Sequence, residues 1–157
     1  ETVKNQKNIF LHIAGFGKLD ELVKEYSASN DNIRYWGKVN YNTALNIMKQ
    51  SDLILAMYYT TNPVHKYAAP NKFYEGLMLG VPIVTTKGTL VGNKTLKLDT
   101  GFVISEGSEP LKNLLTMNGI EAEILQKSYN AKIAWENIYK DAIDNFMAYD
   151  YSKIIDC

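Results

Sequence analysis

Short apolar runs closed by glycine or turn residues alternate along this chain with segments whose apolar residues recur every three to four positions. Ile9–Ala14 is the first run, and it ends in Gly15-Phe16-Gly17. A continuous apolar run entering a glycine turn predicts a buried parallel strand. Leu19, Leu22, Val23 and Tyr26 share one face of a helix over 19–27. Ile33–Trp36, closed by Gly37, predicts a second strand. Tyr41–Gln50 predicts a helix that turns Ala44, Leu45, Ile47 and Met48 inward, and Leu53–Met57 a third strand.

Residues 58–70 hold Pro63 and Pro70 and read as irregular. Asn71 is placed to cap a helix over Lys72–Leu79, and Gly80 stands where a helix end takes a left-handed residue. Val81–Thr85 predicts a strand with Pro82 near its start, as strands tolerate. Residues 86–100 are polar and lysine-rich and predict a loop or a weak extra strand. Gly101–Ile104 is a short strand, and Pro110 opens a helix to Met117. Glu121–Tyr149 is mostly helical, with Trp135, Ile138, Tyr139, Ala142 and Phe146 at helical spacing; the tail over 150–157 is expected to be loose.

Five strands alternating with helices predict an α/β fold: a Rossmann-like parallel sheet with helices on both faces. Ligands of such sheets bind outside the carboxyl ends of the strands. No repeat or linker divides the chain, so 1–157 reads as a single domain.

Composition narrows the chemistry. Seventeen basic residues balance 17 acidic ones, so no basic excess marks a nucleic-acid partner. Arg34 is the single arginine. The one cysteine, Cys157, allows neither an intrachain disulfide nor a cysteine zinc site, which suits a reducing compartment. No apolar run approaches the length of about 18 residues that reads as a membrane span. Several motifs fail. Gly15-Phe16-Gly17 is followed by Asp20 where the dinucleotide fingerprint has its third glycine. Neither a phosphate-binding Gly-Lys-Ser/Thr loop nor a Gly-x-Ser-x-Gly elbow occurs. His12, in mid-strand, reads as a core histidine, whereas His65, in the loop before the helix at 72–79, is open to a role.

The informative stretch is Ala69-Pro70-Asn71-Lys72-Phe73-Tyr74-Glu75-Gly76, continuing through Gly80-Val81-Pro82. The free N–H groups of a helix N-terminus suit a diphosphate. A carboxylate on the first turn suits vicinal hydroxyls such as those of a ribose. A glutamate that merely complements the helix dipole is the plainer alternative. The segment resembles the donor-binding stretch of family 4 retaining glycosyltransferases, whose fold is the two-domain GT-B architecture. Ile13-Ala14-Gly15-Phe16-Gly17, Trp36-Gly37-Lys38-Val39, Ser51-Asp52-Leu53-Ile54-Leu55 and Trp135-Glu136 with Tyr139 resemble further parts of that family, in its order.

The resemblance implies the nucleotide-sugar donor domain of a larger enzyme. Glu75 would bind the ribose hydroxyls. The amides near Asn71 and Lys72 would hold the diphosphate, with added charge from Lys72. Lys38 and Val39 would lie against the base, and Gly15 and Gly17 would keep the cleft floor clear of side chains. It implies a hexosyl transfer that retains anomeric configuration and uses no metal or other cofactor, in bacterial polysaccharide or glycolipid synthesis. The setting would be the cytoplasm, with the parent peripheral at the inner face of the membrane. No catalytic residue is assigned.

Two departures stand out. Many members carry another glutamate eight positions before the first-turn one, and Tyr67 occupies that place here. The family's first strand and helix, with an arginine and a lysine that neutralise the diphosphate, would precede Glu1, as would the acceptor domain. The isolated chain is therefore expected to be inactive, with apolar surface exposed around the strand at 9–14. A non-catalytic nucleotide-binding module and a sugar-nucleotide epimerase are the alternatives.

Overall fold

The computed structural model describes residues 2–4, 6–146 and 148. The elements run β1 (Leu11–Ala14), α1 (Asp20–Ser29), β2 (Ile33–Gly37), α2 (Tyr41–Lys49), β3 (Ile54–Ala56), α3 (Pro63–Tyr67), α4 (Asn71–Leu79) and β4 (Ile83–Thr86). They continue with α5 (Leu90–Leu98), β5 (Gly101–Ile104), α6 (Ser108–Leu115), α7 (Ile120–Ala134), a π-helical turn (Trp135–Tyr139) and α8 (Lys140–Asn145). The expected loose tail at 150–157 lies outside the described residues, as does the end of the helical region expected up to Tyr149.

All strand pairs are parallel, as the β-α alternation requires. The sequence predicts one sheet; the described strands form two ladders, β1-β2 and β3-β4-β5. Ile54, Ile83 and Gly101 stand abreast in the larger ladder. Its faces bury separate cores. Ile54, Ala56 and Ile83 pack with Phe73, Leu77, Val91, Ala131 and Ala134, while Val84 and Phe102 pack with Leu114 and Ile120. Helices thus cover both faces of this sheet.

Among the described residues the smaller ladder is covered by α1 on one side, and Phe10, just before β1, is 68% exposed. His12 is exposed as well, which corrects its reading as a core residue. Strand alternation sends it to the uncovered face, where its Nδ1 accepts a hydrogen bond from Trp36 Nε1 at 3.1 Å. The Arg34 guanidinium stacks 3.8 Å from the Trp36 ring centroid.

Three local expectations change. Residues 90–98 form helix α5, not a loop or strand. Thr89 caps it by accepting from Gly92 N, and its buried face is Val91, Gly92 and Thr95. Thr95 donates its hydroxyl to Val91 O, so a polar-looking stretch buries one face at little cost. The irregular segment at 58–70 contains α3, which Asn62 caps and Pro63 opens. The last long helix is interrupted by the π-helical turn, where Lys140 N–H reaches back to Trp135 O.

Helix α4 is held closely. Its Gly76 lies so near β4 that an added Cβ would stand 2.9 Å from both Ile83 Cγ2 and Val81 O. Gly80, at φ 68°, ends it in the left-handed conformation expected from sequence. Val81 N donates to Gly76 O and Gly80 N to Leu77 O, the two bonds of a Schellman stop. Ser128 on α7 donates to Gly80 O at 2.6 Å. The buried Lys127 ties α7 to Asp99 at 2.5 Å. These links set the line of α7 against the ends of α4 and α5, and with it the place of Trp135.

Candidate active site

Helix α4 starts one residue earlier than its sequence suggests. Pro70 takes the N-cap position with extended backbone, and Asn71 is the first helical residue, so Asn71 is not the cap. Proline's fixed φ already supplies the geometry that a capping residue needs. No side chain caps the first amides. Phe73 N donates to Pro70 O at 3.0 Å, so the Asn71 and Lys72 N–H groups form the end of the helix that faces outward. Lys72 Nζ donates to Leu55 O at 3.3 Å, which ties its ammonium to the middle of β3. Because the helix begins at Asn71, Glu75 falls just past the first turn, not on it.

A cavity of about 190 Å³ runs along the flank of α4. Asn71, Tyr74, Glu75 and Met78 line it from α4, at the spacing of one helix face. Tyr41, the first residue of α2, and Trp135, the first residue of the π-helical turn, line the other walls. Glu75 is half-buried and makes no ion pair among the described residues. The Tyr41 phenol lines the same cavity. Partial desolvation of that phenol, then the nearby Glu75 carboxylate, hold Tyr41 above the ordinary tyrosine range. A larger cavity, about 290 Å³, lies between α5 and α7 and is lined by Leu98, Asn130, Ile133, Ala134, Asn137 and Ile138. It holds no titratable group, so the chemistry points to the smaller one.

The sequence reading quotes Tyr74 and Trp135 within its motifs but gives none of Tyr41, Tyr74, Met78 and Trp135 a place in the site. Helical spacing from Asn71 would have found Tyr74 and Met78. Nothing in the sequence sets Tyr41 or Trp135 against Glu75, because three separate elements meet there. Tyr74 is itself held: its hydroxyl accepts from Lys94 Nζ at 3.1 Å, and its ring packs edge-on against Phe73 and Tyr139.

The remaining candidates sit elsewhere. Gly15 (φ 145°) and Gly17 follow β1, and a Cβ on either would meet no atom within 4 Å. The Gly15 carbonyl accepts from Tyr35 Oη at 3.0 Å, and Gly17 N donates to Asp20 Oδ1 at 2.7 Å. Lys38 Nζ stands 5.2 Å from the Phe16 ring centroid, so the turn after β1 and the turn after β2 touch. Among the described residues no hydrogen bond joins Gly15, Gly17, Lys38 or Val39 to α4. Their link to the cavity is along the chain, since Val39 lies two residues before Tyr41. Tyr67 is 69% exposed at the end of α3, and Lys66 Nζ lies 5.7 Å from its ring. His65 sits edge-on to Tyr58 with its Nδ1 buried and unpartnered.

Around α4 the strand-end loops are cross-tied. Thr60 donates both its N–H and its hydroxyl to Glu106 Oε1, at 2.7 and 2.5 Å, joining the loops after β3 and β5. Those two bonds hold the Glu106 carboxyl below its ordinary range. Tyr58 N donates to Thr86 Oγ1 at 2.8 Å, joining the loop after β3 to the end of β4. Among the described residues no three His, Cys, Asp or Glu side chains gather as a metal-binding group. No helix there is long and apolar enough to cross a membrane.

The fold is shared with glycosyltransferases of known structure. WaaG, a glycosyltransferase involved in lipopolysaccharide biosynthesis, matches 88% of this chain with a TM-score of 0.64 and 19% identity. HepE (Alr3699) of Anabaena, in complex with UDP-glucose, matches 94% with a TM-score of 0.63 and 18% identity. AviGT4, a glycosyltransferase involved in avilamycin A biosynthesis, matches 81% with a TM-score of 0.52 and 16% identity. This chain spans 37% of the WaaG chain, 42% of HepE and 41% of AviGT4. It therefore has the Rossmann-like fold of one part of these GT-B proteins. No curated protein matches the sequence. Residues 1–114 match the family of glycosyl transferases group 1, and the chain belongs to that family.

Proposed function

We propose that this chain is the donor-binding part of a retaining glycosyltransferase that takes a hexose from a nucleoside-diphosphate sugar and passes it to a hydroxyl acceptor. The observation that carries the reading is Glu75, a half-buried carboxylate in a cavity just inside the uncapped N-terminus of α4. The outward amides of Asn71 and Lys72, with added charge from Lys72, would take the diphosphate. One turn along the same face, Glu75 would accept hydrogen bonds from the two ribose hydroxyls. Val39, leading into Tyr41, and Lys38 before it would flank the base, and Gly15 and Gly17 would leave their turn open to the ligand. That HepE was solved with UDP-glucose supports this class of donor.

In this reading the chain's own contribution is positioning and charge. Amide dipoles and Lys72 stabilise the negative charge that grows on the leaving diphosphate. No metal or further cofactor takes part. The acceptor site lies on a partner domain, and the product is a bacterial polysaccharide or glycolipid made at the cytoplasmic side of the membrane.

The test is a titration of the intact protein with UDP and GDP, repeated with Glu75→Gln. A neutral amide keeps the shape and loses the charge assistance, which is worth about 1.5 kcal/mol or roughly tenfold in affinity. Equal affinity in the two proteins would remove Glu75 from the ribose site.

A further inference from the structure

We infer that Tyr35 is a positioning residue: it locks the glycine turn after β1 against the turn after β2, and so fixes the end of the site that would meet the base. The inference rests on the donor-site reading above, in which Gly15, Gly17, Lys38 and Val39 surround that base.

The register of the smaller ladder sets the geometry. Ile13 pairs with Tyr35 and Ala14 with Gly37, so Trp36 is an extra residue on β2. Such a bulge re-aims the side chains around it. Next to the bulge, Tyr35 Oη donates to the Gly15 carbonyl at 3.0 Å. Gly15 N in turn donates to Gly37 O at 2.8 Å. The N–H and the carbonyl of Gly15 belong to the two peptide planes on either side of its Cα. With both planes tied, Gly15 is held at φ 145°, a conformation that glycine adopts readily and other residues rarely. Glycine by itself would leave this turn loose, because its backbone has the most freedom to lose. The phenol is half-buried. Desolvation, then the nearby Asp20 carboxylate, hold Tyr35 above the ordinary tyrosine range, so it stays a donor through neutral pH.

The peptide that Tyr35 holds leads directly into Phe16. That ring is 72% exposed, and Lys38 Nζ stands 5.2 Å from its centroid, within reach of a cation–π contact. The far end of the turn is tied as well, since Gly17 N donates to Asp20 Oδ1 at 2.7 Å. One phenol therefore sets the direction in which the chain leaves β1 and, through Phe16, the place of Lys38. Without its hydroxyl the ligand would have to order the turn on binding, and affinity would fall by that cost. The amides at the start of α4 have no hydrogen bond to these turns among the described residues, so a ligand held by them alone should not sense the change.

The experiment measures UDP and inorganic pyrophosphate binding to the intact protein by calorimetry. Pyrophosphate reads the α4 end, and UDP reads both ends. The proteins are wild type, Tyr35→Phe and Asn32→Ala. Asn32 is the structural control, because its Nδ2 ties Val3 O, Gln6 O and Ile9 O together at the amino end of the same ladder, away from the turns. Tyr35→Phe is expected to weaken UDP about fivefold, the value of one hydrogen bond, and to bind pyrophosphate as before. Unchanged pyrophosphate affinity also certifies that the variant is folded. Asn32→Ala is expected to lower Tm at least as far as Tyr35→Phe does while keeping both affinities. If Tyr35→Phe binds UDP as wild type does, or weakens both ligands equally, the inference is overturned. It is overturned too if Asn32→Ala keeps pyrophosphate and loses UDP to the same degree as Tyr35→Phe. In each of these cases wild-type binding of both ligands leaves the donor-site reading standing. If wild type binds neither ligand, that reading fails and the inference falls with it.

Discussion

Replacing Gly76 by alanine sets two known effects against each other. Gly76 is inside α4, where alanine is favoured over glycine by about 0.8–1.0 kcal/mol. Against this stands the new methyl group. Its carbon would lie 2.9 Å from Ile83 Cγ2 and 2.9 Å from Val81 O, well inside ordinary contact. Neither neighbour can yield easily. Ile83 is a β-branched side chain 2% exposed, with little rotamer freedom in a close-packed core. Val81 is tied back to this very residue, because its N–H donates to Gly76 O at 2.9 Å. Overpacking of this sort costs about 1–3 kcal/mol, and a backbone clash puts it in the upper part of that range. The net effect is a loss of about 1–2 kcal/mol. For a domain of this size that lowers Tm by roughly 2–8 °C. Thermal unfolding of wild type and Gly76→Ala, followed by far-ultraviolet circular dichroism, measures it. An unchanged or raised Tm would show that helix propensity outweighs the contact, and that α4 is not seated on β4 as described.

Two further predictions separate binding from stability. Gly17→Ala meets no atom within 4 Å, so its stability should stay within about 0.5 kcal/mol of wild type; if its turn faces the ligand, UDP affinity should nonetheless fall, and unchanged affinity in the calorimeter would take Gly17 out of the site. The Glu106 carboxyl is held below its ordinary value of 4.5, first by the Thr60 hydroxyl and then by the Thr60 amide. Its folded-state value is therefore lower than its unfolded one, so its contribution to stability is present above about pH 4.5 and is lost as pH falls through the lowered folded value. Tm measured against pH for wild type and Glu106→Gln should converge on acidification, whereas parallel curves would contradict the Thr60 link.

Much of the fold follows from the sequence by itself. The apolar runs at 9–14, 33–36, 53–57, 81–85 and 101–104 all hold strands, and their alternation with helical segments makes the pairing parallel. Gly80 ends α4 in the left-handed conformation because few other residues adopt it without strain. These are local rules, each read within a few residues. The same rules miss α5, since Thr95 and Gly92 count as polar or neutral until a backbone carbonyl and a close neighbour make them a buried face.

What only the tertiary structure decides is which residues from distant stretches meet. The sequence places Glu75 near a helix N-terminus, and its family pattern supplies the idea of a ribose. It does not place Tyr41, 34 positions earlier, or Trp135, 60 positions later, on the same cavity. That meeting depends on the links that seat α7, namely the Ser128 bond to Gly80 at the end of α4 and the Lys127 bond to Asp99 at the end of α5. Nor does hydrophobic pattern say which strand edges join. Period and polarity specify how a strand pairs through its own crossover, but two β-α units meet edge to edge only through contacts distant in sequence, and the described strands divide there into two ladders.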